Sequence, residues 1–270
     1  MASSLMASTA LAGVSALAME LYDASGLRQQ IAMIPAQTER SFDIIALSET
    51  MPLEFESLDR KAMRDAVPQS FSEARLQSEM IKALESVNEP HLQRMVQWFD
   101  SELGAKVKRA ELENSLLSNQ DRFVGFREAL LDDPVSDNRK RLAERLDDSL
   151  RISESAADTV INVQIGFTLS IMSAAGSPIN VEDYAQSIKA NRAYIVESYR
   201  ADSIETILFI YQGLSDGELS RYADSMHQQA ARQFIDASNS GIANGMLAAS
   251  STLGTAIGSM FVAVPSEPGI

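Results

Sequence analysis

Two stretches of the chain carry the same rhythm of apolar positions. In EPHLQRMVQWFDSELGAKV, residues 89–107, the apolar residues are Leu92, Met95, Val96, Phe99, Leu103 and Val107. They recur at three- and four-residue steps and so line one face of an α-helix. A shift of 127 places Leu219, Tyr222, Ala223, Met226, Ala230 and Phe234 on the same face, in and around GELSRYADSMHQQAARQF, residues 217–234. Just upstream, Met80, Ala83, Leu84 and Val87 correspond to Ile207, Ile210, Tyr211 and Leu214, and the start signals correspond as Asn88 and Ser215. The pattern predicts a helix–turn–helix near 70–110 and another near 197–237. An internal repeat accounts for both, with a period too long for a solenoid. The expected outcome is a bundle of two related helix-rich halves, residues 19–134 and 135–270.

Helix breakers and caps mark the rest. Pro35, Pro52 and Pro68 divide the first part into short predicted helices near 20–34, 36–50 and 54–66. Ser70-Phe71-Ser72-Glu73 reads as a capping box for a helix reaching about Val87, and Asn88 caps the next, with Pro90 tolerated in its first turn. That helical run extends to Leu131 and stops at Asp132-Asp133-Pro134. Ser136 starts another, continuing to Ala175, and Gly176-Ser177-Pro178 ends it. Asn180 restarts a helix towards Gly213, and Ser215-Asp216-Gly217-Glu218 forms a second capping box. No alternating β-branched run is long enough for a sheet. The predicted class is all-α.

Composition agrees. The chain of 270 residues is 45% apolar, 22% charged and only 6% aromatic, rich in helix formers and able to bury a core. Its net charge of −14, with no basic stripe, argues against nucleic acid as a partner. The absence of cysteine removes disulfides, thiolate nucleophiles and Cys-ligated zinc.

The two ends carry the only long uncharged runs. Ala2 to Ala18 has a mildly apolar core, Leu11 to Leu17, and the small-residue site Ala16-Leu17-Ala18 before Met19. This has the form of a secretory signal, residues 1–18, although no Lys or Arg precedes it. Export to a periplasm is the resulting expectation. Residues 241–264, GIANGMLAASSTLGTAIGSMFVAV, are long enough for a membrane span and contain the pairs Gly241/Gly245 and Gly254/Gly258. The interspersed Asn, Ser and Thr residues favour a buried, small-residue helix instead. A membrane-attached structural role through 241–264 is the alternative.

One motif stands out: Trp98-Phe99-Asp100-Ser101-Glu102-Leu103-Gly104. An aromatic pair, then serine, then glycine three residues on, in a helix that follows a polar turn, resembles the bacterial family called domain of unknown function 2059. The similarity covers about 50 residues around 70–120. Glu102 stands where that family commonly has proline, and the echo Ser225-Met226-His227-Gln228-Gln229-Ala230-Ala231 contains a serine but neither aromatic nor glycine. The resemblance implies a helical protein exported from Gram-negative cells, and it supplies no catalytic residues. Read physically, Phe99 joins the buried stripe, Trp98 covers its flank and Gly104 admits a neighbouring helix. An exposed Trp98 would instead serve a partner.

Catalytic signatures are missing. His91 and His227 lie among polar neighbours and are expected to be solvent-exposed; no metalloprotease, nucleophile-elbow, phosphate-loop or dinucleotide motif occurs. Asp132-Asp133, Asp147-Asp148 and Glu182-Asp183 sit where helix ends or solvated faces place carboxylates. RKRLAERLDDSLR, 139–151, reads as an ion-paired face. The sequence therefore points to a non-catalytic helical protein with no cofactor or metal. Trp98, Phe99, Ser101 and Gly104 are its candidate packing or partner motif. The expected ligand is an unknown protein or an apolar small molecule held between the halves.

Overall fold

A computed structural model describes residues 14–47, 58–115, 119–176 and 180–263. It is helical throughout, with no strand among the described residues. In chain order the helices are α1 (14–24), α2 (Leu27–Leu47), α3 (Arg60–Ser70), α4 (Glu73–Leu84), α5 (Glu89–Asp100) and α6 (Glu102–Glu113). Then follow α7 (Gln120–Asp132), α8 (Asp137–Leu150), α9 (Ile152–Ala174), α10 (Val181–Ala190), α11 (Arg192–Ile210), α12 (Asp216–Met226) and α13 (Gln229–Ala263).

Several predicted starts are made as the caps require. Asn88 accepts from the His91 amide to open α5, Ser136 from Arg139 to open α8, and Asn180 from Glu182 and Asp183 to open α10. Ser215 and Glu218 form the reciprocal capping box of α12. Gly176 ends its helix in the left-handed region, at φ +71°.

Other expectations need correction. Pro35 lies inside α2 and Pro68 inside the last turn of α3, so neither ends a helix. Each removes one backbone donor, a cost of about 3 kcal/mol in a helix interior. Burial on both sides offsets it: Ile31 and Phe42 flank Pro35, and Val67 and Phe71 flank Pro68. The first break instead falls at Ser25-Gly26, where Gly26 takes φ +84°. Ser70 closes α3 rather than capping α4. The run from Ser136 to Ala175 divides at Arg151, which is left-handed, and the run from Asn180 divides at Asn191. Pro52 and residues 1–13 of the expected signal lie outside the described residues. Residues 14–18 belong to α1, in which Ala18, Leu21 and Tyr22 are fully buried.

The chain packs as two compact units. The first gathers the chain up to Gln30, Glu79–Ala157 and Tyr194–Gly241; the second gathers Ile31–Ser78, Asp158–Ala193 and Ile242 onward. Each thus draws on both sides of residue 134. The first has a core of large side chains, among them Tyr22, Met80, Leu84, Leu92, Leu146, Ile207 and Leu219. Each is worth roughly 1.5–3 kcal/mol of burial.

The second unit is built differently. Leu58, Met63, Val67 and Phe71 meet Ala249, Leu253 and Ile257 of α13. There α13 lies against α9 through small residues. A Cβ on Gly254 would stand 2.4 Å from the Phe167 carbonyl, and one on Gly258 would stand 2.6 Å from that of Ile171. The opposite edge of α13 exposes Thr252, Thr255 and Ser259, whose hydroxyls donate to carbonyls one turn back at 2.9–3.0 Å. The uncharged segment is a packed helix with a polar outer edge, and no helix among the described residues is long and apolar enough to cross a membrane.

The 127-residue offset reappears in the coordinates. Glu89 and Asp216 open helices, as do Glu102 and Gln229. Backbone bonds recur at the same offset: Val87 to Leu84 and Leu214 to Tyr211, then Ala105 to Ser101 and Arg232 to Gln228. Met80, Leu84, Val87, Leu92, Met95, Val96, Phe99 and Val107 are buried, and so is every counterpart from Ile207 to Phe234. Leu103 departs from the pattern, being half-buried where Ala230 is buried.

Candidate functional site

Residues 89–107 do not form one helix. α5 ends at Asp100 and α6 begins at Glu102, and the single residue between them closes one and opens the other. Ser101 is extended (φ −68°, ψ 160°). Its amide donates to the Trp98 carbonyl at 3.1 Å, and its hydroxyl donates to the same carbonyl at 2.6 Å. The hydroxyl oxygen also accepts from the Gly104 amide at 3.1 Å. These contacts satisfy groups that a helix end otherwise leaves unpaired. Gly104 is required by space: a Cβ there would stand 2.0 Å from the Trp98 carbonyl oxygen and 2.8 Å from the Phe99 Cα. The Trp-Phe-x-Ser-x-x-Gly motif is therefore a sharp helix break.

The aromatic pair takes two directions from this break. Phe99 is buried and meets Phe234 edge-on at 5.4 Å. Trp98 is half-buried, edge-on to Phe99 at 4.9 Å and stacked on Tyr222 at 5.5 Å. Beneath it, Tyr222 meets Tyr211 at 5.6 Å. Both hydroxyls donate to Glu111, Tyr211 at 2.6 Å and Tyr222 at 3.3 Å. Burial raises the Glu111 carboxyl above its ordinary range, against the opposing pull of the two tyrosines. Burial and the nearby carboxylate push both phenols up as well, so they remain donors.

Beside the break lies a cleft of about 550 Å³, bordered by Trp98, Ser101, Leu103, Lys106, Arg221 and Gln228. Lys106 pairs with Glu218 at 2.7 Å. With the Ser215 amide and hydroxyl, that pairing pulls the Glu218 carboxyl down to about 2. Asp224, also on the border, pairs with Arg145. Arg221 is exposed and unpaired among the described residues. The cleft thus offers an indole face, a leucine and a free guanidinium. The Ser101 hydroxyl is already engaged on both sides.

Of the sequence-picked residues, Trp98 and Ser101 reach the cleft, whereas Phe99 and Gly104 lie in the packing behind it. The expectation for His91 is corrected. It is buried, with Nδ1 2.6 Å from Gln233 Oε1 and 3.0 Å from Asn88 Nδ2. His227 is exposed, 3.1 Å from Ser149 Oγ. Asp147 is also buried rather than solvated, accepting from the Ser153 amide and hydroxyl at the start of α9. Among the described residues no group of three or more His, Asp or Glu side chains could hold a metal ion.

Sequence reasoning missed Glu111, Tyr211 and Tyr222 as a connected group. A signal existed, because two tyrosines on a buried stripe need acceptors for their hydroxyls. It also missed Arg139, which donates to the Leu214 and Tyr211 carbonyls, at 2.6 Å each, and to Asp216 at 3.0 Å, clasping the α11–α12 turn. Comparison of the chain with protein families, with curated proteins and with solved structures returns no match.

Proposed function

We propose that this chain is a non-catalytic, exported helical protein that binds a protein partner or an apolar ligand at the cleft beside Trp98. In this reading its core arises from one helical unit used twice. The observation that carries the binding role is the setting of Trp98: one side of the indole is fixed by Tyr222 and Phe99, and the residue borders an open cleft. A rigid, half-buried aromatic beside an unpaired guanidinium has the makeup of an interface anchor. The repeat is supported by the shared helix starts, backbone bonds and burial at the 127-residue offset. Export, and kinship with the domain of unknown function 2059 family, rest on residues 1–18 and 98–104.

The test uses the protein as made in the cell, released without detergent and weighed by native mass spectrometry. A species beginning at Met19, carrying extra mass that denaturation removes, supports export and ligand binding together. Trp98 is the single tryptophan, so its fluorescence reports on the cleft. Iodide should quench it partly in the stripped protein and much less in the loaded one. Equal quenching in both forms would remove the cleft from the proposal.

A further inference from the structure

A second cleft of about 550 Å³ lies elsewhere in the first unit, between α7, α8 and α11. Its floor is apolar: Leu130, Val135, Ala201, Ile204 and Leu208. Its rim is acidic. Asp137, Glu144 and Glu197 have no ion pair among the described residues, while the Arg200 guanidinium is turned to Asp148 and Glu205 is held by Arg127 at 2.7 Å. Lys140 is the only unpaired cation of the lining among the described residues.

The helix above the cleft is unusual for this protein. α7 has no buried residue and leaves Leu131 85% and Val124 50% exposed. It is attached by Phe123 and Phe126 against Phe209, at 5.3 and 5.5 Å, and by the Arg127 ion pair. Apolar surface therefore remains uncovered beside an apolar floor, which in monomeric proteins marks an interaction site.

We infer that this acid-rimmed groove takes a basic amphipathic helix of a partner protein. Such a helix sets an apolar stripe at i, i+3, i+4 and i+7 on the floor and Lys or Arg along the carboxylates. The other occupants fit less well. A second copy, at −14, would bring acid against acid, and an anionic bilayer would be repelled in the same way. An apolar small molecule would leave the three carboxylates unanswered. The inference is independent of the Trp98 cleft.

The probe is a fluorescent peptide of roughly 18 residues, Leu and Lys in a single helical stripe. It is compared with its Leu/Glu analogue and with a scramble of the Leu/Lys composition. The striped Leu/Lys peptide should bind the full chain and become helical, with amide shifts at Ile204 and Leu208, and the other two should bind about tenfold or more weakly. Glu144→Lys with Glu197→Lys should weaken binding to a similar degree, and so should Ala201→Lys, which places a cation on the exposed floor. Trp98→Ser should leave it intact. Equal binding of the scramble, indifference to the rim variants, shifts confined to the Trp98 cleft, or no binding by any peptide would each overturn the inference.

Discussion

The two helix breaks, at Ser101 and at His227-Gln228, occupy equivalent places yet are made differently. The first residue is extended and reverses the chain in a single step; the second, His227, keeps helical angles (φ −79°, ψ −11°) and bends the chain gently. The sharp break brings the start of α6 against the end of α5, so only glycine fits at 104. The gentle one accommodates Ala231, itself buried. The same hydrophobic stripe can thus be carried around a corner in two ways, and the tighter corner requires a missing side chain. It also places the aromatic at 98 beside a cleft, where the gentle break has Ser225.

The largest expected effect breaks this comparison directly. Gly104→Ala should cost about 3 kcal/mol or more, because its Cβ collides with backbone that cannot move independently. Ala231→Gly at the other break should cost about 1 kcal/mol, the ordinary helix-propensity difference. Urea unfolding of both variants measures the contrast, and similar costs would show the two corners to be alike. Ser101→Ala should follow, at about 1–2 kcal/mol, since one hydroxyl both caps α6 and contacts the end of α5. Gln228→Ala should stay within about 0.5 kcal/mol.

A smaller effect appears only with pH. Glu111 is held above its ordinary 4.5 chiefly by burial, so the folded chain binds that proton more tightly than the unfolded chain. Its contribution is fully present below the ordinary value and is lost as pH rises through the raised one. Glu111→Gln keeps an acceptor for the tyrosines and removes the titration. Its urea midpoint should decline less than the wild type's from about pH 4 to about pH 8. Parallel profiles would mean the carboxyl is not the titrating group. The smallest effect concerns Glu218, whose value of about 2 depends first on Lys106. Its stabilising contribution is present above 4.5 and lost as pH falls through about 2. In Lys106→Met its carboxyl titration, followed by NMR, should move up towards the ordinary range.

Much of the fold was legible because caps are local. Asn88, Ser136, Asn180 and Ser215 each announce a helix through one side chain and an amide two or three residues away. The stripes at 80–107 and 207–234 were legible because burial repeats with the helical period. Ser101 was misread for the same reason: the stripe continues through the corner, so periodicity alone gives no warning, and the signal lay in the serine–glycine spacing. Pro35 and Pro68 were misread because distant packing outweighs their local cost. His91 was misread because its partner Gln233 is 142 residues away. The Trp98 cleft and the Glu111 network were only half legible. Trp98 is conspicuous, but Tyr222 and Arg221 reach it from more than a hundred residues further along.

The interleaving of the two compact units has a consequence for how the chain is made. Each unit needs three separated segments, and α13 supplies the last of them to both. As the chain leaves the ribosome, neither core can close until the region beyond residue 229 has emerged. Both units must wait with Leu84, Leu92, Met63 and Phe71 uncovered, held by local helices alone. Folding is then set in motion by the arrival of the final helix, and shortening the protein from that end should abolish both cores together instead of trimming one.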